Sequence, residues 1–452
     1  MKRFLDRIFR LEESGTTIRT EAVGGVTTFM TMSYIIFVQP VILSGAGMDK
    51  GAVMFATCVA SALATLLMGL LARYPISLAP AMGHNVFFAV IVCGTMGYSW
   101  QIALGAVFIS GLIFIILSAV GAWEKLVASV PNSLKHAIAV GIGLLIALVG
   151  LQWGGVVIPG EGTIAAIGNL TSKPVLVVLF GVAVTAVLMA LRVRGAILLG
   201  ILATALLGLP AGLVQYHGVF SMPPSVSPTL FKLDILGALD TGLITVIFVF
   251  FFLDMFDTMG TLIGVSGPAG FLEGDRLPRA NRAMFADAVG TVGGALLGTS
   301  TITSYVESAS GIEHGAKTGL ANVFTSLLFL VALFFSPLAE MFGGEYVITL
   351  PAGTGNEAAV KEIILRPVIA PALIIVGYLM LKCVSMIRWD EITEAIPAYL
   401  TIIMMPLSGI TDGIAFGFIS FALLKLVTGK GKDVHWLIYM FAVLFIVKYI
   451  VS

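Results

Sequence analysis

The stretches "PISLAPAMGHN" (residues 75–85) and "LLGTSTITSYVES" (296–308) decide the fold of this chain, because each interrupts an apolar run long enough to enter a bilayer. Pro75 and Pro80 bar a continuous helix in the first, and the Gly, Ser and Thr residues of the second disfavour one. Irregular backbone at membrane depth survives only where protein or a wet cavity surrounds it. The two stretches also occupy corresponding places, about 80 residues into the first half and about 70 residues past the start of the apolar run near 238. Paired interruptions of this kind point to the binding site of a secondary transporter. Short helices that begin at such breaks aim their positive ends at the site.

The rest of the chain supplies the membrane. It has 452 residues, 58% hydrophobic and only 11% charged, with a mean hydropathy of +1.04. A soluble domain carries about 25% charged residues, so the composition describes an all-α polytopic membrane protein. About fourteen apolar stretches, each near the spanning length, run from 22–44 to 411–428. An odd number of spans per half, seven, turns the second half upside down relative to the first. Lys+Arg and Asp+Glu are equal at 25 each, so nothing calls for nucleic acid. Cys58, Cys93 and Cys383 lie in separate apolar stretches without metal-type spacing and read as small fillers.

Charge placement predicts the orientation. Lys2, Arg3, Arg7, Arg10 and Arg19 open the chain. Arg73, Lys125 with Lys135, Arg192 with Arg194, and Arg276, Arg279 and Arg282 then fall on alternate loops. Glu161, Glu340, Glu345 and Glu357 fall largely on the other set. The positive-inside rule puts the amino terminus in the cytoplasm, and the leading "MKRFLDRIFRLEESGTTIRTE" lacks a signal-peptide cleavage pattern. Lys430 and Lys432 favour a cytoplasmic end after 411–428, which leaves Val434–Val451 as an extra crossing, a surface helix or the last span.

Ionisable groups inside the spans mark the chemistry. "IFVFFFLDMFDTMGTLIGV" (247–265) carries Asp254 and Asp257. A carboxylate at a helix centre costs about 2.5–3.5 kcal/mol, and the eight apolar residues Val246–Leu253 return only about 0.3–0.6 kcal/mol each. The segment is marginal alone and must find polar company in a bundle. Asp254 reads as a substrate contact and Asp257 as its orienting or structural partner, one of them tied to Thr258 or Thr261; the competing reading has both stitch helices together. Glu307 begins a short helix and reads as a hydrogen-bond acceptor or proton acceptor, against a plain cap. In "APAMGHNVFF" (79–88), Gly83 admits close backbone approach, Asn85 offers donor and acceptor, and Phe87 or Phe88 offers a stacking face. His84 titrates near neutral pH, although a lone buried histidine is more often structural. Acids, an amide and backbone groups suit a small, mostly neutral ligand and argue against an anion. With no Walker A loop, metal-ligand cluster or nucleophile set, the chain reads as neither an ATP-driven pump nor an enzyme, and a proton is the only coupling partner implied.

The chain resembles the nucleobase:cation symporter-2 family, in its AzgA-like hypoxanthine/guanine/adenine permease branch. The resemblance rests on "GTTIRTEAVGGVTTFMTMSYIIFVQP", "APAMGHNVFF", "FLDMFDTMGTLIGV", "GTSTITSYVESASGI" with "GAKTGLANV", and "EAIPAYLTIIMMPLSGITDGIAFGFISF". It implies the UraA-type fold: about 14 spans in two inverted repeats of seven, with short strands at mid-membrane in spans 3 and 10. Residues 1–21 are then a cytoplasmic tail. Residues 22–121 and 237–340 form a core domain (spans 1–4 and 8–11), and 122–236 and 341–452 form a gate (spans 5–7 and 12–14). The resemblance makes Asp254 the main purine-binding acid with Asp257 nearby, and Glu307 the second binding and proton-linked acid. It gives Gly83 and Asn85 the other edge of the ligand. His84 departs from the branch, whose members carry a bulky apolar residue there, and bears on substrate choice and pH dependence. The expectation is proton-coupled purine import through the cytoplasmic membrane by movement of core against gate, with a homodimer left open. The rivals are a uracil or xanthine permease of the same fold, an anion exchanger or channel of related fold, and a non-transporting receptor or scaffold.

Overall fold

The computed structural model describes residues 2–121, 129–160, 165–216, 218–239, 243–267, 269–272, 277–342, 344–351 and 360–451. Lys125, Glu161, Arg276 and Glu357, used above for orientation, lie outside them. Helix α1 (Lys2–Phe9) precedes α2 (Ile18–Met32), which starts where the Thr17 hydroxyl accepts the Thr20 N–H. The chain breaks at Ser33–Tyr34 and resumes as α3 (Ile35–Ser44). Asp49 caps α4 (Lys50–Leu67), which widens over Met68–Ala72 and stops at Arg73 in the left-handed region. Then come β1 (Leu78–Pro80), α5 (Met82–Val86) with wide turns over Phe87–Thr95, and α6 (Trp100–Val120). The next stretch holds α7 (Asn132–Trp153), the hairpin β2 (Val157–Ile158) and β3 (Ala166–Ile167), α8 (Lys173–Ala190) and α9 (Ala196–Gly208).

The second half repeats the plan. It runs through α10 (Ile244–Ser266), α11 (Ala280–Leu297), β4 (Ile302–Ser304), α12 (Ser308–Glu313) and α13 (Leu320–Ala332). The hairpin β5 (Tyr346–Pro351) and β6 (Val360–Leu365) leads to α14 (Ala370–Leu381), α15 (Ile392–Ser408), α16 (Ile410–Val427) and α17 (Trp436–Val451). Among the described residues, eight helical segments are long and apolar enough to cross a membrane, and five apolar ones are shorter. With α11 and the β4–α12 unit they make up the fourteen expected segments, and α17 besides. Helix α17 packs on α16 and meets α10 through Phe441, whose ring lies 4.9 Å from that of Phe248.

Two sets of contacts join the halves. Helices α2 and α4 lie on α13, and α6 lies on α10 and α11. Helix α7 lies on α14 and α15. Both sets bring backbones together at glycine. A Cβ on Gly319 would sit 2.0 Å from the Gly69 carbonyl oxygen, and one on Gly377 would sit 2.4 Å from that of Gly143. Such small-residue crossings replace the hydrophobic drive that lipid cannot supply. The amino-terminal tail is tied down too: Phe9 and Leu11 pack on Leu320. Glu21, fully buried, accepts the Lys317, Thr318 and Ala321 N–H groups at 2.9–3.3 Å and so anchors the start of α13.

Candidate substrate site

Strands β1 and β4 pair antiparallel, with Leu78 opposite Ser304, Ala79 opposite Thr303 and Pro80 opposite Ile302. The ladder continues where Ala81 N–H donates to the Thr301 carbonyl and Tyr305 N–H donates to the Ser77 carbonyl, both at 2.9 Å. The Tyr305 hydroxyl donates to the Pro80 carbonyl at 2.5 Å. Every residue of both strands is buried. The two interrupted stretches therefore satisfy each other's backbone at the centre of the core.

Helix α10 passes beside β4, and its two aspartates divide. Asp257 is exposed, and Gly260 and Gly264 continue the open stripe toward Gly267. Glu307, half-buried at the start of α12, lies within electrostatic reach of Asp257. Tyr34 Oη donates to Glu307 Oε1 at 2.9 Å, and Thr31 Oγ1 donates to the Glu307 carbonyl at 3.3 Å. Glu307 makes no side-chain cap bond, so the capping reading does not apply. Cys383, just beyond α14 in the gate, is within electrostatic reach of Asp257. Two carboxyl groups, one exposed and one half-buried, thus lie within electrostatic reach of each other beside the strand crossing.

Asp254 points elsewhere. It is 1% exposed, and its carboxyl meets that of Asp287 on α11, itself fully buried. Thr291 Oγ1 donates to Asp254 Oδ2 at 3.1 Å, and Thr258 Oγ1 donates to Asp287 Oδ1 at 2.8 Å. The Thr258 tie expected for an α10 aspartate goes to Asp287 instead. Asp257 is exposed and Asp254 buried for a geometric reason: residues three apart differ by about 60° around a helix, and the boundary of the exposed stripe falls between them.

The span-3 residues are sealed. Gly83, His84, Asn85 and Phe87 are all buried. A Cβ on Gly83 would lie 2.6 Å from Ile142 Cγ2 of α7, so this glycine serves the approach of core to gate. Asn85 Oδ1 accepts from Ser300 Oγ, and its Nδ2 has no partner among the described residues. The His84 ring stacks near Phe250 at 6.5 Å; the Phe250 backbone is close, but neither ring nitrogen makes a well-formed hydrogen bond among the described residues. The Phe87 ring packs edge-on to Phe250 at 4.9 Å rather than offering a free face.

Beyond this seam, Arg366 ties the end farthest from the open stripe. It lies over Trp153 at 4.6 Å, pairs with Glu345 at 3.1 Å and reaches within 3.6 Å of the Cβ position of Gly45. Burial works against the Glu345 charge, but Lys50 at 3.4 Å and Arg366 hold its carboxyl below the usual range. A groove of about 400 Å³ lined by Leu70, Ser118, Arg282 and Phe285 carries none of these acids.

Asp287 and Tyr34 escaped the sequence reading. The signal for Asp287 was present, as the only acid in the apolar stretch 283–298, with Thr291 one turn further on. Tyr34 had none, since a tyrosine in an apolar span carries no mark of what its hydroxyl meets.

Inverted halves crossing as paired strands, with carboxyl groups at the crossing, define a secondary membrane transporter. The "Permease family" matches residues 19–418. The chain is 44% identical to the guanine/hypoxanthine permease PbuG of Bacillus subtilis (98% of each chain). It is 42% identical to the adenine permease AdeP of Escherichia coli (98% of this chain, 95% of that one). The transmembrane domain of the cyanobacterial bicarbonate transporter BicA shares the fold at TM-score 0.63 and 14% identity, over 87% of this chain and 97% of that one. SLC26A9 does so at 0.63 and 12%, over 95% and 69%. The chain belongs to the permease family of nucleobase:cation symporter-2 type, and is a multi-pass membrane transporter.

Proposed function

We propose that the protein imports purine nucleobases (adenine, guanine or hypoxanthine) with a proton across the cytoplasmic membrane, its amino terminus inside. The observation that supports this reading is that Asp257, exposed, and Glu307, half-buried, lie within electrostatic reach of each other beside the strand crossing. A purine presents ring and exocyclic N–H donors along its edges, and two carboxyl groups accept them. The relatives' names, adenine permease and guanine/hypoxanthine permease, support that substrate class. Asp257 takes the ligand-facing role first read into Asp254. Tyr34 holds Glu307 in place.

In this reading the core slides against the gate. The exposed stripe of α10 runs toward the loop that bears Arg279 and Arg282, the cytoplasmic end in this reading, and so we assign the inward-facing state. The Gly83–Ile142 contact and the Arg366 cluster must part for the outward-facing state. The solved structures of like fold include a bicarbonate transporter; two carboxyl groups within electrostatic reach of each other argue against an anion here, because like charges repel.

The test is uptake of labelled adenine, guanine, hypoxanthine, xanthine and uracil into proteoliposomes, with and without an inward proton gradient. Gradient-stimulated uptake of a purine, lost in Asp257→Asn and in Glu307→Gln, supports the reading. Uptake of uracil or xanthine alone moves the substrate to the rival permease. Entry of no nucleobase overturns it.

A further inference from the structure

We infer that Asp254 and Asp287 hold one shared proton and form the proton-loading element of the transporter, separate from the ligand-facing Asp257 and Glu307. This rests on the symport reading above and assigns its proton to a place. Each carboxyl has one oxygen bound by a threonine hydroxyl, at 3.1 Å for Asp254 Oδ2 and 2.8 Å for Asp287 Oδ1. The other oxygen of each, Asp254 Oδ1 and Asp287 Oδ2, is buried and makes no well-formed hydrogen bond among the described residues, although the Ser304 backbone N–H lies close to the Asp287 carboxyl. The two carboxyls meet, so one proton between them gives both carboxyl groups the partner they lack. With both ionised, two like charges would lie in contact where no lysine or arginine reaches them among the described residues.

Thr291 Oγ1 has one hydrogen but two acceptors, Asp254 Oδ2 at 3.1 Å and the Ile302 carbonyl at 2.9 Å, while it accepts the Ile302 N–H at 3.1 Å. Thr258 Oγ1 lies 2.8 Å from both Asp287 Oδ1 and Thr303 Oγ1. Both hydroxyls therefore tie the aspartate pair to β4, the strand that leads to Glu307. A change in protonation alters which way these hydroxyls donate, and β4 feels it directly.

Loading adds one proton to two carboxylates and takes the pair from two negative charges to one. Unloading returns that proton to water past Asp257, three residues further along α10. Asp257 on the same helix acts electrostatically on both carboxyls; Glu307 and Tyr305 lie within its reach beyond β4, His84 on α5 packs against Phe250, and Lys135 on α7 is 5.8 Å from the Phe256 ring.

The experiment compares the unmodified protein with Asp287→Asn and Asp287→Glu in proteoliposomes, by two readouts. One is exchange of labelled for unlabelled purine at equal pH, and the other is accumulation driven by an inward proton gradient. An asparagine keeps a donor against Asp254 but cannot cycle a proton. Asp287→Asn should exchange within about fivefold of the unmodified protein, lose gradient-driven accumulation and lose the pH dependence of uptake. Asp287→Glu should restore part of both. If Asp287→Asn accumulates purine with an unchanged pH profile while the unmodified protein does the same, this inference falls and the symport reading stands. If exchange and accumulation fall together in Asp287→Asn at normal membrane levels, the aspartate is only structural and the inference falls. If the unmodified protein accumulates nothing under a proton gradient, the symport reading falls and takes this one with it.

Discussion

Strand β1 leads into α5 and strand β4 into α12 on one backbone plan, yet the first ends sealed and the second ends open. After β1, the residues from Met82 to Phe88 are buried, and Gly83 is pressed against the gate. After β4, Val306 is 60% exposed and Glu307 is half-buried. The charge is unequal in the same sense. Asp49, a helix cap at the membrane edge, is the only acid in residues 22–121, whereas Asp254, Asp257, Asp287 and Glu307 crowd the second core segment. The repeat supplies a scaffold with two crossing arms, and the acids belong to one arm. The other arm provides packing and an amide.

The strongest way to break this contrast is to neutralise the open arm. Asp257→Asn and Glu307→Gln each remove a charge-assisted hydrogen bond worth about 1.5–3 kcal/mol, so purine affinity should fall about 10- to 150-fold. Binding calorimetry on detergent-purified protein checks this, and affinity unchanged in both would remove the acids from the ligand site.

The sealed arm should respond differently. Gly83→Ala places a methyl 2.6 Å from Ile142 Cγ2, an overpacking cost of about 1–3 kcal/mol confined to the state in which that seam is closed. The population should shift away from the inward-facing state, and alkylation of Cys383 by a maleimide should slow in a Cys93→Ser background. Adding Ile142→Ala should restore the rate; no slowing at all would mean that the seam is not part of the cycle. A smaller effect sharpens the role of Tyr34. Tyr34→Phe deletes one bond to Glu307, worth about 1 kcal/mol, and should weaken binding about fivefold without altering thermal stability.

The smallest effect lies at the base of the gate. Lys430 at 2.9 Å, Lys425 at 3.1 Å and the Thr393 hydroxyl at 2.9 Å hold the Glu391 carboxyl down at about 2. A depressed folded-state value means that its stabilising contribution is complete above the ordinary carboxylate range, near 4.3, and is lost as pH falls toward about 2. The unmodified protein should lose thermal stability faster than Glu391→Gln across that window, and parallel curves would refute the assignment.

Much of this was legible from residues alone. The prolines of 75–85 and the Ser/Thr run of 296–308 announced extended backbone, and their matched positions announced that the halves are related. What the sequence could not decide was which of two acids three residues apart faces water, because that depends on where a neighbouring body ends. Nor could it pair Asp254 with Asp287, since that contact joins two helices and depends on how they pack. Gly83 was read as admitting a ligand, and the structure brings Ile142 against it: a glycine states that something comes near and leaves open what.

The β1–β4 pairing also sets a schedule for making the protein. The Tyr305–Pro80 hydrogen bond closes a loop of 225 residues. At about 5–20 residues per second, the ribosome delivers the second partner roughly 10–45 s after the first. Through that interval the first strand has entered the membrane with its ladder edge unanswered, against a cost of several kcal/mol for each bare backbone group in hydrocarbon. The first half must therefore wait in the insertion machinery, or under the cover of a chaperone, until its mirror image arrives. Truncation before β4 should leave a fragment fit for proteolysis, whatever its hydropathy promises.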